Sequence, residues 1–304
     1  MQRVTGSLAL MGIPVRFEAD DPVLLHAALG AYAAWPAAAE DPSPPLRIRL
    51  HLAPAATGTT GDEDTVGVRV DGARLAVAGA GVAGGADAAG GEGWCTVPAA
   101  LAADPRRLAA DVLDTLLLFL LTRGGRVPLH ASGLVIGGTA AVLAGRSGSG
   151  KSTLALAALG AGLPVLSDDT VYVQLRPSLH VWGFPRPIHV FPDEAPAGAE
   201  GPRLRSGRWK AAVPLPHAAP PVAERAALFL LERGDRVALH PITASDAVDR
   251  MTAQLEPGFD HFREQVPAAV GALAAGGAWR LTLSADPAQA IRLLRDALTA
   301  RAEP

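Results

Sequence analysis

Two hydrophobic rhythms take turns along this chain, one with apolar residues at every second position and one with helical spacing. Residues 7–19 (SLALMGIPVRFEA) alternate around Val15 and Phe17 and predict a strand. Asp21 followed by Pro22 is a helix start: the carboxylate caps free backbone N–H groups, and proline has no N–H to leave unpaired. That helix is expected to run to about Tyr32. Leu46 to Leu52 alternates as a half-buried strand does. Residues 53–65 and 78–93, rich in Gly, Ala and Thr, read as loops, with a hairpin over Val66 to Val77 between them. From Asp104-Pro105 to Gly124-Gly125 the pattern is helical. Leu108, Val112, Leu116, Phe119 and Leu120 mark one face, and Leu113, Leu117 and Leu121 mark others. A helix apolar on most sides is buried between layers. A domain boundary is placed near residue 100, just before it.

Beyond it, two short apolar runs flank Gly137-Gly138, a tight hairpin signal, and the second run enters a glycine-rich loop. Lys151 to Leu159 reads as a helix ended by Gly160 and Gly162. Pro164 to Ser167 reads as a short strand that runs into Asp168-Asp169 and belongs to a parallel sheet. Val171 to Leu175 and Leu179 to Phe184 predict a strand pair, and residues 192–222 a long loop-rich stretch. Ala226 to Glu232 and Arg236 to His240 are expected to form a hairpin about Gly234-Asp235. Helices near 245–255 and 259–274, a strand at Trp279 to Leu283 and a last helix capped by Asp286-Pro287 complete the pattern.

Composition narrows the classes. Hydrophobic residues make up 49% of the 304 positions, enough for a sizeable core. The net charge of −3 provides no basic stripe for nucleic acid. The most apolar stretch, Leu108 to Leu121, carries Asp111 and Asp114 and is too short to span a bilayer. Neither nucleic acid nor membrane is therefore expected as a partner. Cys95 is the only cysteine, so no internal disulfide can form. The N-terminus lacks the character of a signal peptide, and a cytoplasmic protein is expected.

The chemistry begins at Gly145-Arg146-Ser147-Gly148-Ser149-Gly150-Lys151-Ser152, followed by Thr153, which matches the P-loop pattern G-x-x-x-x-G-K-[ST]. Triphosphate oxygens need many donors at close range. Glycines let successive backbone N–H groups turn inward as a nest, and the following helix adds its free N-terminal N–H groups and positive dipole end. Lys151 is expected to reach the β- and γ-phosphates, and the Ser152 hydroxyl to ligate Mg²⁺. ATP and Mg²⁺ are the cofactors this predicts. Such a loop binds nucleotide without naming a reaction, so the neighbouring groups decide. Asp168-Asp169 at a strand end offers one carboxylate for Mg²⁺ and one to take a proton from an attacking hydroxyl. His130, Arg186 between two prolines, and Arg208 and Lys210 in the 192–222 stretch are further candidates. Each also has a plain structural or solvated alternative.

Taken together, LHASGLVIGGTAAVLAGRSGSGKST and PVLSDDTVYVQ, and in weaker form GFPRPIHV, resemble the catalytic domain of the bacterial HPr kinase/phosphorylase family, whose P-loop is of the phosphoenolpyruvate-carboxykinase type. His130 stands 21 residues before Lys151 and Asp168 stands 17 after it, spacings similar to the family's. The resemblance covers roughly residues 125–300. It implies an α/β catalytic domain (101–304) built on a mixed sheet with flanking helices; the pattern before it reads as a small α/β domain (1–100) unlike the family's own N-terminal domain. The resemblance implies Asp168 as general base, Asp169 with Ser152 at Mg²⁺, Lys151 on the phosphates, His130 beside the transferred phosphate or Asp168, and Arg186 in the family's arginine segment. Thr153 stands where the family usually has an acidic residue. The chain is most similar to divergent relatives encoded with peptide-tailoring clusters, such as kinases of lasso-peptide precursors. The expected activity is transfer of the γ-phosphate to a Ser or Thr hydroxyl of a peptide or small protein. The first domain is then expected to recognise the substrate or its leader, and a homo-oligomer is expected because family members often form one. Alternatives are a kinase of a small hydroxyl compound such as free serine, a lyase like phosphoenolpyruvate carboxykinase, and a non-catalytic nucleotide-binding regulator.

Overall fold

The structure, a computed structural model, describes residues 3–33, 44–54, 66–184, 186–205, 208–216, 221–256 and 258–300. The loop predicted over 53–65 lies for the most part outside the described residues, as do parts of the 192–222 stretch. The chain divides into two compact units, Met1–Arg126 and Val127–Pro304.

The first unit is built on a seven-stranded sheet. Its strands are β1 (Val4–Leu10), β2 (Ile13–Ala19), β3 (Leu46–Leu52), β4 (Gly67–Asp71), β5 (Arg74–Gly79), β6 (Val82–Asp87) and β7 (Glu92–Val97), in the order β1-β2-β3-β7-β6-β5-β4. The single strand expected over 7–19 is a hairpin, because Met11 and Gly12 both take positive φ and reverse the chain. Residues 78–93, expected as loop, contain β6 and the start of β7. Helix α1 (Pro22–Gly30) starts as predicted, with Asp21 accepting hydrogen bonds from Val23 N at 2.7 Å and Leu24 N at 3.1 Å.

After α2 (Ala99–Ala102), the long helix runs as α3 (Pro105–Leu108), one π turn over Ala109–Leu113, and α4 (Asp114–Arg123). Its Leu113, Leu116, Leu117, Leu120 and Leu121 are buried, and α4 packs on β6 and β7. The helix expected to open the second domain therefore completes the first. The division falls after Arg126 rather than near residue 100, because this helix covers the apolar sheet of residues 4–97. Buried Arg126 donates from Nε and Nη2 to the Met11 carbonyl at 3.0 and 2.7 Å, tying the end of the unit to its first turn.

The second unit is mixed α/β. A six-stranded sheet has the order β11-β9-β10-β18-β20-β19, made of β9 (Ala131–Ile136), β10 (Thr139–Ala144), β11 (Val165–Ser167), β18 (Arg225–Arg233), β19 (Ala238–Pro241) and β20 (Ala278–Leu283). Strands β10, β18 and β20 are parallel to one another. A four-stranded sheet holds β8 (Val127–Leu129), β12 (Val171–Gln174), β13 (His180–Gly183) and β17 (Val222–Ala223). A three-stranded one holds β14 (Ile188–Val190), β15 (Glu200–Arg205) and β16 (Arg208–Val213). The loop-rich stretch expected over 192–222 thus contains a strand pair. Strands β18 and β19, expected as a hairpin, do not pair. Instead β20 lies between them, parallel to β18 and antiparallel to β19.

Helices α5 (Lys151–Gly160), α6 (Ala244–Ala253), α7 (Val266–Ala275) and α8 (Pro287–Thr299) cover the six-stranded sheet. Residues 140–144 of β10 and 226–231 of β18 are apolar because both faces are covered there, and residue parity assigns each side chain to a face. Ala227, Phe229 and Leu231 of β18 join Ala141 and Leu143 of β10 in a core with α5 and α8. Ala226 and Leu228 join Ala140, Val142 and Ala144 in a second core with α6, α7, β8 and β12. No helix among the described residues is long and apolar enough to cross a membrane.

Phe229 is fully buried and stacks on Trp279 with ring centroids 4.9 Å apart. Phe229→Ala is expected to lower stability by about 3–5 kcal/mol, through lost burial and the cavity left behind. Chemical denaturation measures this; a loss below about 1 kcal/mol would contradict the two-sided core.

Candidate active site

Strand pairing brings three separate stretches of sequence to one end of the sheet. Strand β9 runs antiparallel to both β10 and β11, which lie on either side of it. Its first residue, Ala131, pairs with Ala144, the last of β10, and Gly133 pairs with Ser167, the last of β11. His130 before β9, Gly145 after β10 and Asp168 after β11 therefore emerge side by side. The expectation that Asp168 ends a strand of a parallel sheet is corrected in detail. β11 is hydrogen-bonded to an antiparallel neighbour, yet it points the same way as β10, one strand further in.

The glycine-rich segment joins β10 to α5, as its pattern predicts. Gly150 precedes the helix at φ 107°, a backbone conformation that side chains disfavour. Ser149 N donates to the Arg146 carbonyl at 3.0 Å, closing the loop on itself. Lys151, Ser152 and Thr153 form the first turn of α5. The Lys151 side chain folds back so that Nζ donates to the Gly145 carbonyl at 2.6 Å and the Arg146 carbonyl at 3.3 Å. Lys151 is only 7% exposed. Burial lowers the pKa of its ammonium, and the charges of Glu256, Asp169 and Asp168 act against that.

Asp168 is equally buried, while the Asp169 side chain is 78% exposed. Adjacent residues leaving a strand point opposite ways, and here one carboxylate faces inward and one outward. Asp168 Oδ2 accepts from His189 N at 3.3 Å. The Ser152 hydroxyl hydrogen-bonds the same carboxylate, and the Ser132 hydroxyl donates to the Asp168 carbonyl. Burial pushes the Asp168 carboxyl above the ordinary aspartate value. The bonds from Ser152 and His189 oppose this, the Asp169 charge adds to it, and the Lys210 charge opposes it.

His130 lies between two carboxylates, with Nδ1 3.5 Å from Glu256 Oε2 and Nε2 3.9 Å from Asp169 Oδ1. Its ring meets that of Phe259 edge-on, with centroids 5.4 Å apart. Burial and the Lys151 charge lower its pKa, against the two carboxylates, which raise it.

Glu256 had no signal in the sequence, since it follows α6 in a loop without a motif. Besides its place beside His130, its Oε1 accepts from Ser147 N at 3.2 Å. A carboxylate thus rests on a backbone N–H of the glycine-rich loop, where an anion would sit. Arg186 joins this group least directly: its guanidinium lies over the Phe184 ring, 4.9 Å from the centroid. Lys210 belongs to β16 and acts on Asp168 through its charge, while Arg208 is exposed. Among the described residues, no three His, Cys, Asp or Glu side chains come together to hold a metal ion. On the other side of the loop, between residues 145–149, the end of β18, Arg280 of β20, and α6, lies a cavity of about 360 Å³.

No family model matches the chain, and no curated protein matches its sequence. Among solved structures, the HPr(Ser) kinase/phosphatase from Coxiella burnetii is similar, with 17% identity over 57% of this chain and 88% of that one and a TM-score of 0.28. That overlap is too slight to carry the activity of that protein over to this one.

Two outcomes follow from the geometry. Glu256→Ala should tighten the binding of inorganic tripolyphosphate about fivefold, ~1 kcal/mol, because a competing carboxylate leaves the loop. Isothermal titration calorimetry reads this, and unchanged or weaker binding would mean that the carboxylate does not stand in an anion's place. The His130 imidazole should titrate below 6.5 in an NMR pH series. Its folded pKa lies below its unfolded one, so its contribution to stability falls as the pH drops through 6.5 and the unfolded chain binds the proton more readily. A midpoint above 6.5 would mean that the two carboxylates outweigh burial and Lys151.

Proposed function

We propose that the chain is an ATP-dependent kinase that moves the γ-phosphate of ATP to a Ser or Thr hydroxyl of a peptide or small protein. The observation that carries this reading is the convergence of the buried Lys151 ammonium and the buried Asp168 carboxylate at the end of a glycine-rich loop. Phosphoryl transfer asks a protein for little covalent chemistry and much positioning and charge neutralisation. In this reading the loop N–H groups from Gly145 to Gly150 hold the phosphates, and Lys151 leaves its two carbonyl partners to pair with the β- and γ-phosphates. Asp168, its pKa raised by burial, takes the proton of the attacking hydroxyl. His130, neutral near pH 7, lies beside the terminal phosphate, and Arg186 serves the acceptor side.

Mg²⁺ keeps several waters and needs only one or two protein oxygens besides the phosphates. The Ser152 hydroxyl, which hydrogen-bonds Asp168, and the exposed Asp169 carboxylate next in sequence are oxygen donors of that kind, so their chemistry suits the ion. When bound, it would neutralise charge on the phosphate chain. The first unit, which carries no comparable cluster among its described residues, is assigned to recognising the peptide.

The full chain, incubated with γ-labelled ATP, Mg²⁺ and a Ser/Thr peptide library, should label peptide. Asp168→Asn should slow transfer by about 10²–10⁴-fold while ATP binding stays within a few-fold of wild type. Normal transfer by this variant would remove Asp168 from the role of base. Labelling of free serine alone would replace the peptide by a small-molecule acceptor.

A further inference from the structure

The 360 Å³ cavity shares the glycine-rich loop with the site above, but its other walls, from β18, β20 and α6, have been given no role so far. Its size is near the lower end of the ~300–1,000 Å³ typical of ligand pockets. It lies beyond the C-terminal ends of the parallel strands β10 and β18, beside Arg280 of β20, and the strand ends are where open α/β sheets gather ligands. Two buried polar atoms on its wall, Ser149 Oγ and Arg280 Nε, have no hydrogen-bond partner among the described residues; Arg280 Nε has only the Glu232 carboxylate in ion-pair range, at 3.3 Å. Buried polar atoms without partners are few in native proteins, and Ser149 Oγ, which has neither a hydrogen bond nor an ion pair, calls for an occupant of the cavity it lines.

The order of strands says which occupant. In the sequence β11-β9-β10-β18-β20, Asp168 ends β11 on one side of the loop-bearing strand β10, and the cavity lies on the other. A phosphate chain held by the loop with its terminal phosphate toward Asp168 must carry its remaining half toward β18. We infer that the cavity between the glycine-rich loop and α6 receives the nucleoside half of a nucleoside triphosphate; this rests on the kinase reading above.

The wall suits that half. Leu230 and Met251 supply an apolar surface for a flat base. Arg250 lies beside them, and a guanidinium plane stacks on aromatic rings. Gln254, one helical turn beyond Arg250, carries both a donor and an acceptor for a base edge. The Glu232 carboxylate, which already accepts from the Thr282 hydroxyl at 2.8 Å, has further lone pairs for ribose hydroxyls. Arg233 packs against the loop itself: a Cβ placed on Gly150 would lie 3.1 Å from its Nη2. Its charge therefore falls at the junction between nucleoside and phosphates.

Calorimetric titration of the full chain with Mg·ATP and with Mg·tripolyphosphate separates this from the kinase reading. Wild type should bind ATP at least about tenfold more tightly than tripolyphosphate. Arg250→Ala and Gln254→Ala should each erase most of that difference and leave tripolyphosphate binding unchanged, which also serves as the control for folding. ATP binding at wild-type strength in both variants would overturn the nucleoside site alone. So would equal losses for the two ligands. If wild type binds neither ligand, the nucleotide reading fails and the nucleoside site fails with it.

Discussion

An ammonium group almost wholly removed from water must find its compensation within the protein, and Lys151 sets that condition for the second unit. Its Nζ is held by two carbonyls of its own loop, with three carboxylates acting on it from a distance. None of these neighbours is a close ion-pair partner of the kind that usually accompanies a buried charge. The arrangement leaves positive charge available at the mouth of the loop. A site of this kind attracts anions, and Glu256, resting on Ser147 N, occupies it with an anion of the protein's own.

The sheet makes this possible. Burial of both faces fixes β10 between two cores, so the loop that follows it starts from a rigid point. The antiparallel excursion through β9 brings His130 back to that point, and the return through α5 to β11 brings Asp168 to it. A slip of one residue in the β9–β10 register would turn every side chain of β9 to the opposite face. The glycine pair at residues 137 and 138, which closes that hairpin, therefore contributes to the site from the far end of the sheet.

Much of this was legible along the chain, because it depends on local signals. The capping aspartates, the alternation of residues 46–52, the hairpin glycines and the loop pattern each carry their own geometry. The misses have specific causes. Strand β6 (VAGGAD) resembles a loop in composition, but its glycines answer to close approach: a Cβ on Gly84 would lie 2.3 Å from the Trp94 carbonyl oxygen, and one on Gly85 2.5 Å from that of Leu75. Gly234 reads as a turn between β18 and β19, yet β20, some forty residues further on, separates them, and no local pattern encodes a partner that distant. The helix apolar on most sides announced burial without saying which sheet would bury it. Glu256 has no motif around it, and only the fold brings it to His130 and the loop.

The central claim is that Lys151 and Asp168 face the terminal phosphate of a nucleotide held by the loop. A crystal structure of the chain with Mg²⁺ and a non-hydrolysable ATP analogue tests it most directly. The account predicts the γ-phosphate within hydrogen-bond reach of Lys151 Nζ, with the Asp168 carboxylate open to an acceptor in line with it. A nucleotide bound elsewhere, or one whose γ-phosphate points away from Asp168, would contradict it.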